Sequence, residues 1–556
     1  MSRYLARRRG PIWAGVAIVT TVLALISSTS PAMGGTYATL SGSGSSWASV
    51  ALVQWANDLA SNGLTVNFLA DGSASGRGDY SQGSQVDFAA SDPPFRNGKD
   101  ELANTGAESP SYGYSYVPDV GGGTALMYHI TVGGHLVTNL RLTGATITKI
   151  FTGQITNWSD PAITKDYGAQ LPSEPIIPVI RSDGSGATFF FTRWMHHDFP
   201  SDWDAFCQKV HPGIQLPCPE TEFYPQFGSA KAENGSNAVS VYVTSNYGEG
   251  SIGYDEYAYA LNAHWPVVYM QNPGGYYVLP TASNVAVALT QAQINENTSS
   301  PDFLQQNLDN VYGYTDPRSY PLSSYSYLIV PRNGTKIPPI FNSNVGRSLS
   351  TYIDYYLCAG QKEAASLGYS PLPLNLVQGG LQQVNQIPGH VTGPDPTSLA
   401  GCDNPTFTNG VLTVLKDAPY PGKCQKVGSP LNCTAGATTG SSTTGTSKTG
   451  KGTKSTAGTG GTTGGTGTGP GTSTGTGTAG STPVAQNADV TGSVVDVPGN
   501  GADRILLAVI TALGVAAAVA APPAVAAYKR RRRGGAERGP HRPSGPPTAP
   551  RRLRRI

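Results

Sequence analysis

Short apolar runs, small-residue loops and stretches of helical period alternate along the first part of the chain. Residues 37–40 predict a strand, and Ser41-Gly42-Ser43-Gly44-Ser45-Ser46 a loop. A helix expected from 47 to about 60 puts Trp47, Ala51 and Trp55 on one face. Residues 64–69 predict a second strand and Asp71-Gly72-Ser73-Ala74-Ser75-Gly76 a second loop, and a short helix leads to Val86-Asp87-Phe88-Ala89-Ala90-Ser91-Asp92. Farther on, residues 175–180 are strand-like and end at Arg181. A turn, Ser182-Asp183-Gly184-Ser185-Gly186, opens an apolar, aromatic segment of helical length through Met195. Such alternation is the α/β pattern, in which ligands gather at the carboxyl ends of strands.

The turn after Arg181 has the chemistry of an anion site. A helix start offers unpaired N–H groups and the positive end of its dipole, glycines let backbone approach a ligand, and Arg181 adds a planar, always-charged fork. The plainer reading is a Ser-capped turn with Arg181 and Asp183 as a local ion pair. This segment alone leaves both open.

Composition divides the chain. Residues 1–9 carry four Arg, and 529–556 carry eleven Lys/Arg against Glu537, so the overall charge of +2 hides a body, 10–528, of about −12. An acidic body argues against a nucleic-acid partner and leaves any anion to local hydrogen bonds. Residues 1–34 read as a signal peptide: Arg3, Arg7, Arg8 and Arg9, an apolar run, then small residues. The first Cys is Cys207, so no lipidated N-terminus is expected and the tether falls to the other end. There, 505–528 is free of charge and, at about 1.5 Å per residue, long enough for a hydrocarbon core of roughly 30 Å. The basic run from Lys529 orients it with tail inside and body outside. Before it lies a Thr/Gly/Ser tract too poor in large apolar residues to order itself, a stalk reaching roughly 45 Å.

Several phrases in order resemble the periplasmic phosphate-binding protein of Pst-type ABC transporters: Gly42-Ser43-Gly44-Ser45-Ser46-Trp47, Gly72-Ser73, residues 86–92, residues 142–158, Arg181 to Gly186, Gly250-Ser251-Ile252-Gly253-Tyr254, and later segments to about 390. The resemblance implies a two-lobed type II periplasmic-binding-protein fold, α/β, with hinge crossovers. One lobe would be 35–120 with 279–395 and the other 121–278. A Cys-containing extension (396–433), a linker (434–502), a transmembrane helix (503–528) and a cytoplasmic tail (529–556) would follow. It also implies inorganic phosphate as ligand, ABC permease subunits as partners, and no cofactor, metal or catalysis. Position by position, Ser46 would donate its hydroxyl and Trp47 its backbone N–H. Ser73 would donate, Asp92 would accept, and Arg181 would pair with ligand oxygens while Asp183 orients it. Ser185, Gly186 and Ala187 would donate from the helix start. Ala187 stands where the family has Thr, so a hydroxyl is lost, to be replaced by Thr188 or water. A surface phosphate sensor or adhesin that keeps the fold without transport is the alternative.

Asp92 suits such a site because an ionised carboxylate only accepts hydrogen bonds: it welcomes a protonated oxygen and repels a bare one. Phosphate near neutral pH keeps a proton and sulfate keeps none. The alternative role for Asp92 is an N-cap or turn residue before Pro93-Pro94. Six Cys in an exported chain favour disulfides; of fifteen possible pairings Cys207–Cys218, which closes a short local loop, is the first expected, and the other four, which could tie 396–433 to the second lobe, are left open by the sequence.

Overall fold

Eight strands form the main sheet: β1 (Leu40–Gly44), β2 (Val66–Leu69), β3 (Phe88–Ser91), β4 (Tyr114–Tyr128), β5 (Ile177–Arg181), β6 (Lys231–Glu233), β7 (Ser251–Glu256) and β8 (Ser323–Pro331). Their spatial order is β2-β1-β3-β8-β4-β7-β5-β6. The computed structural model describes residues 37–433. The expected segments 1–34, 434–502, 503–528 and 529–556 lie outside the described residues, among which no helix is long and apolar enough to cross a membrane.

Strand β4 belongs to both halves of the sheet. Its first part, through Gly123, pairs antiparallel with β8, and from Thr124 it pairs antiparallel with β7. At the change of partner stand Gly121, Gly122 and Gly123. A Cβ on Gly122 would lie 2.6 Å from both the Trp47 ring and the Glu256 carboxylate, and one on Gly123 would lie 2.6 Å from Pro280. Only glycine lets both halves close on the strand here. On one side, β1 runs parallel to β2 and β3; on the other, β5 runs parallel to β7 and β6. Each half therefore carries parallel strands whose carboxyl ends collect loops.

The helices that follow these strands are α1 (Ser49–Ala60), α2 (Ser73–Gln82), α3 (Gly186–Asp198) and α4 (Gly235–Thr244); α5 (Ser343–Leu357) covers the first half. The amphipathic reading of α1 holds, with Ala51 and Trp55 buried together with Trp47, which stands just before the helix. Two boundaries move. Residues expected to be loop from Ser41 to Gly44 are strand, because β1 is central between β2 and β3 and takes its bonds from both. Helix α2 starts within the second expected loop, at Ser73.

The cysteines form Cys207–Cys218, Cys358–Cys402 and Cys424–Cys433. The first pair is as expected. For the other four, left open by the sequence, the tie to segment 121–278 is not the one formed: Cys402 is bound to Cys358 at the end of α5, and Cys424–Cys433 closes a loop inside the extension. The extension nevertheless reaches that segment through hydrogen bonds. Arg141 donates to the carbonyls of Cys424 and Ser429 at 3.0 and 3.2 Å, and Val427 N donates to Gly275 O at 2.9 Å.

Candidate functional site

The carboxyl ends of β1 and β3 from one half meet those of β5, β6 and β7 from the other. Beyond β3, Asp92 is 1 % exposed and accepts from Ser45 Oγ at 2.7 Å and Ser73 Oγ at 3.0 Å. Burial pushes its carboxyl above the usual range, while these hydroxyls and the Arg181 charge pull the other way. No helix starts after Asp92, so its carboxylate is not a cap; it faces the start of α3 across the cleft. A Cβ on Gly186 would lie 1.8 Å from Asp92 Oδ2, so only glycine permits that approach.

Arg181 closes β5. Its Nε donates to Asp183 Oδ1 at 2.8 Å and its Nη2 to Asp183 Oδ2 at 2.5 Å, a bidentate pair on one edge. The opposite edge points at hydroxyls: Nη2 to Ser46 Oγ at 3.0 Å and Nη1 to Ser236 Oγ at 3.1 Å. The local ion pair is thus present, Asp183 holding one edge of Arg181 while the other edge is turned to the two hydroxyls. Burial opposes the charge on both partners, and their pairing outweighs it, raising the Arg181 pKa and lowering that of Asp183, which also accepts from Gly235 N at 2.9 Å.

Helix α3 starts as its sequence promises. Ser185 is the N-cap, its hydroxyl oxygen accepting from Thr188 N at 3.3 Å, while Gly186 and Ala187 occupy the first turn, where N–H groups precede the helical ladder. The N–H of Ser185 itself is taken by Glu222 O at 2.9 Å, which leaves Ser185 its hydroxyl proton to give. The Thr188 hydroxyl, next to Ala187, shares a hydrogen bond with Tyr254 OH at 2.8 Å. Trp47 is buried, its ring 5.9 Å from that of Tyr369 and its carbonyl accepting from the Tyr369 hydroxyl at 2.5 Å.

The structure therefore brings Ser46, Ser73, Asp92, Arg181, Asp183, Ser185 and Gly186 into one buried cluster. Three more residues join it: Ser45, Ser236 and Asp255. Ser45 lay in the same Gly/Ser loop as Ser46, a signal that could have been used. Ser236 and Asp255 carry no local signal, since only the β5–β7 register and the packing of α4 place them.

A second set of contacts holds the halves together beside this cluster. Arg77 of α2, fully buried, donates to Ser91 Oγ at 3.0 Å, pairs with Glu108 at 2.9 Å, and reaches across to Glu222 at 2.5 Å; Arg96 also pairs with Glu222. Burial opposes the Arg77 charge, but the two carboxylates outweigh it and keep the group protonated. Glu222→Ala leaves Arg77 short of one counter-charge in a dry site and is expected to lower unfolding free energy by about 3–5 kcal/mol in urea titrations. A loss below about 1 kcal/mol would show that the pair adds nothing to the packed halves.

Residues 29–359, more than half of the chain, match the family model described as a PBP superfamily domain. The phosphate-binding protein PstS of Xylella fastidiosa strain Temecula1 is 30% identical over 341 residues, 61% of this chain and 83% of that protein. The phosphate-binding protein PstS 3 of Mycobacterium tuberculosis strain H37Rv is also 30% identical over 341 residues, 60% of this chain and 83% of the relative. Among solved structures, the crystal structure of a DING protein aligns with a TM-score of 0.45 at 18% identity, covering 63% of this chain and 100% of that one. On the family match and the shared length of its relatives, the chain belongs to the PBP superfamily and, within it, to the PstS family of phosphate-binding proteins.

Proposed function

We propose that this protein binds inorganic phosphate outside the cell, between lobes made of 35–120 with 279–395 and of 121–278, and delivers it to the permease of an ABC transporter for import. The observation that carries the reading is a single ligand-facing composition: Asp92, an acceptor, stands against the N-terminus of α3, opposite donors from Ser46 and Arg181. An oxyanion at this cluster takes over the bonds that Arg181 now makes to hydroxyls, accepts N–H groups from Gly186, Ala187 and Trp47, and receives O–H from Ser46 and Ser185, and from Ser73 once that hydroxyl turns from Asp92 to the ligand. Its protonated oxygen gives to Asp92. A set of many donors and one acceptor fits a tetrahedral anion that retains a proton. The reading is in keeping with a family of binding proteins and not of enzymes.

In this reading the signal segment 1–34 exports the chain, the helix 503–528 anchors it with the body outside, and the linker 434–502 gives it reach. The charge pattern of the two ends and the apolar run between Arg504 and Lys529 support that topology. Calorimetric titration of the purified full-length protein in detergent should show one phosphate bound at micromolar concentrations or tighter, with sulfate far weaker. No heat of binding at millimolar phosphate would overturn the reading.

A further inference from the structure

Ser236 comes to the ligand cluster from the second half of the sheet by a short route. Strands β5 and β6 run parallel with Arg181 opposite Glu233, so both end at the same level. Three residues beyond Glu233, Ser236 stands in the first turn of α4, after a turn at Gly235, whose φ of 76° suits glycine. Asp183 fixes that turn. Its Oδ1 accepts from Arg181 Nε at 2.8 Å and from Gly235 N at 2.9 Å, which ties the start of α4 to the guanidinium. Ser236 is fully buried there, its Oγ 3.1 Å from Arg181 Nη1 and 3.1 Å from Ser46 Oγ, which belongs to the half that carries β1.

Donors outnumber acceptors at this point. Of the five N–H groups of Arg181, two go to Asp183, one to Ser46 and one to Ser236, so one N–H of Nη1 has no acceptor among the described residues. Each serine oxygen accepts from Arg181, and the two hydroxyls share one mutual hydrogen bond. That bond uses one of their two protons, and the other has no acceptor among the described residues. The Asp255 carboxylate takes neither, since it accepts only from Glu256 N, at 2.8 Å. Buried donors are costly to leave unmade, so two of them beside a buried cation mark a place suited to an acceptor from outside the fold.

Resting on the phosphate reading, we infer that Ser236 is a further ligand-binding residue, its hydroxyl and the adjacent Nη1 of Arg181 donating to the bound anion. As the anion enters, Ser46 and Ser236 exchange their mutual bond for bonds to its oxygens, and Arg181 exchanges its two hydroxyl partners for the same oxygens. The other donors of this half stand on β5 and at the start of α3; Ser236 adds one from α4. Ser46 and Ser236 then hold the ligand from opposite halves. A hydroxyl that donates serves a protonated and a bare oxygen alike, so Ser236 adds affinity and leaves the choice between phosphate and sulfate to Asp92.

The test is calorimetric titration with inorganic phosphate, at pH 6 and pH 8, of the full-length protein and of Ser236→Ala, Ser46→Ala and the double variant. Ser236→Ala should bind about 10- to 100-fold more weakly, as expected for a lost hydrogen bond to a charged group, and by the same factor at both pH values. The double variant separates a ligand contact from a prop for Ser46: a contact keeps its cost when Ser46 is already alanine, and a prop costs nothing there. Thermal melts with and without phosphate compare each variant with itself, so they report on binding even where a variant is less stable. The rise in melting midpoint caused by phosphate should shrink in Ser236→Ala. Native affinity in Ser236→Ala, a cost that vanishes in the Ser46→Ala background, or a loss that differs between pH 6 and pH 8 overturns the inference while the phosphate reading stands. Absence of phosphate binding by the native protein at both pH values overturns the phosphate reading, and this inference with it.

Discussion

Arg181→Ala is expected to weaken phosphate binding by about a thousandfold. The guanidinium is 2 % exposed, two of its N–H groups are fixed on Asp183 and two more are aimed at Ser46 and Ser236. Removing a buried, hydrogen-bonded charge from an interface typically costs about 2–5 kcal/mol, partly because its partner stays behind. Here the remaining partner, Asp183, is itself a carboxylate next to the incoming anion. Arg181→Lys restores a charge but not the planar fork, and should recover part of the loss only. The same pair gives a stability test with a definite sign. In the native protein the Asp183 pKa is lowered, so its contribution is present above the unfolded value near 3.9 and is lost as pH falls through the folded one. In the alanine variant burial acts on Asp183 without its counter-ion, the folded pKa rises, and stability falls as pH rises through the same range. The gap between the two melting midpoints should therefore widen from about pH 3 to pH 6. A near-native dissociation constant for Arg181→Ala would remove Arg181 from the site.

What could be read from the chain and what could not follows the distance over which each feature is decided. The start of α3 is decided within five residues: a Ser that caps, a Gly that allows close approach, an Arg at the strand end. All three were legible, and all three stand where expected. The pair Cys207–Cys218 is local as well, whereas Cys358–Cys402 spans a separation of 44 and is fixed by how the extension docks on α5. Strand β1 was misplaced by a few residues because its Gly and Ser residues have no strand propensity of their own. Its neighbours on both sides supply the hydrogen bonds, and Phe88, 2.3 Å from where a Cβ on Gly42 would be, demands the missing side chain. Asp255 is the clearest case of the opposite kind. It directly follows the phrase Gly250–Tyr254, yet it comes beside Arg181 only through the pairing of β5 with β7, and register between distant strands has no local signature.

Asp92→Asn should erode the preference for phosphate over sulfate by up to about 10⁴-fold while changing phosphate affinity far less. Sites built around one hydrogen bond discriminate at that level, because the wrong ligand leaves two acceptors face to face in a dry cleft. The substitution suits the local geometry: asparagine has the same outline, so the close approach to Gly186 is kept, and its carbonyl oxygen still accepts from Ser45 or Ser73. What changes is the other atom, from an acceptor to a donor, which removes the partner for a ligand proton and offers a partner to a bare sulfate oxygen. Protonation does the same in the native protein. Burial raises the Asp92 pKa, so as pH falls through it the acceptor becomes a donor, while sulfate keeps its charge and its four bare oxygens. Competition titrations should therefore show the phosphate-to-sulfate ratio falling toward acid pH in the native protein and staying low and flat in Asp92→Asn. Equal selectivity in the two proteins at neutral pH would mean that Asp92 only holds Ser45 and Ser73 in place, and that the donors alone choose the ligand.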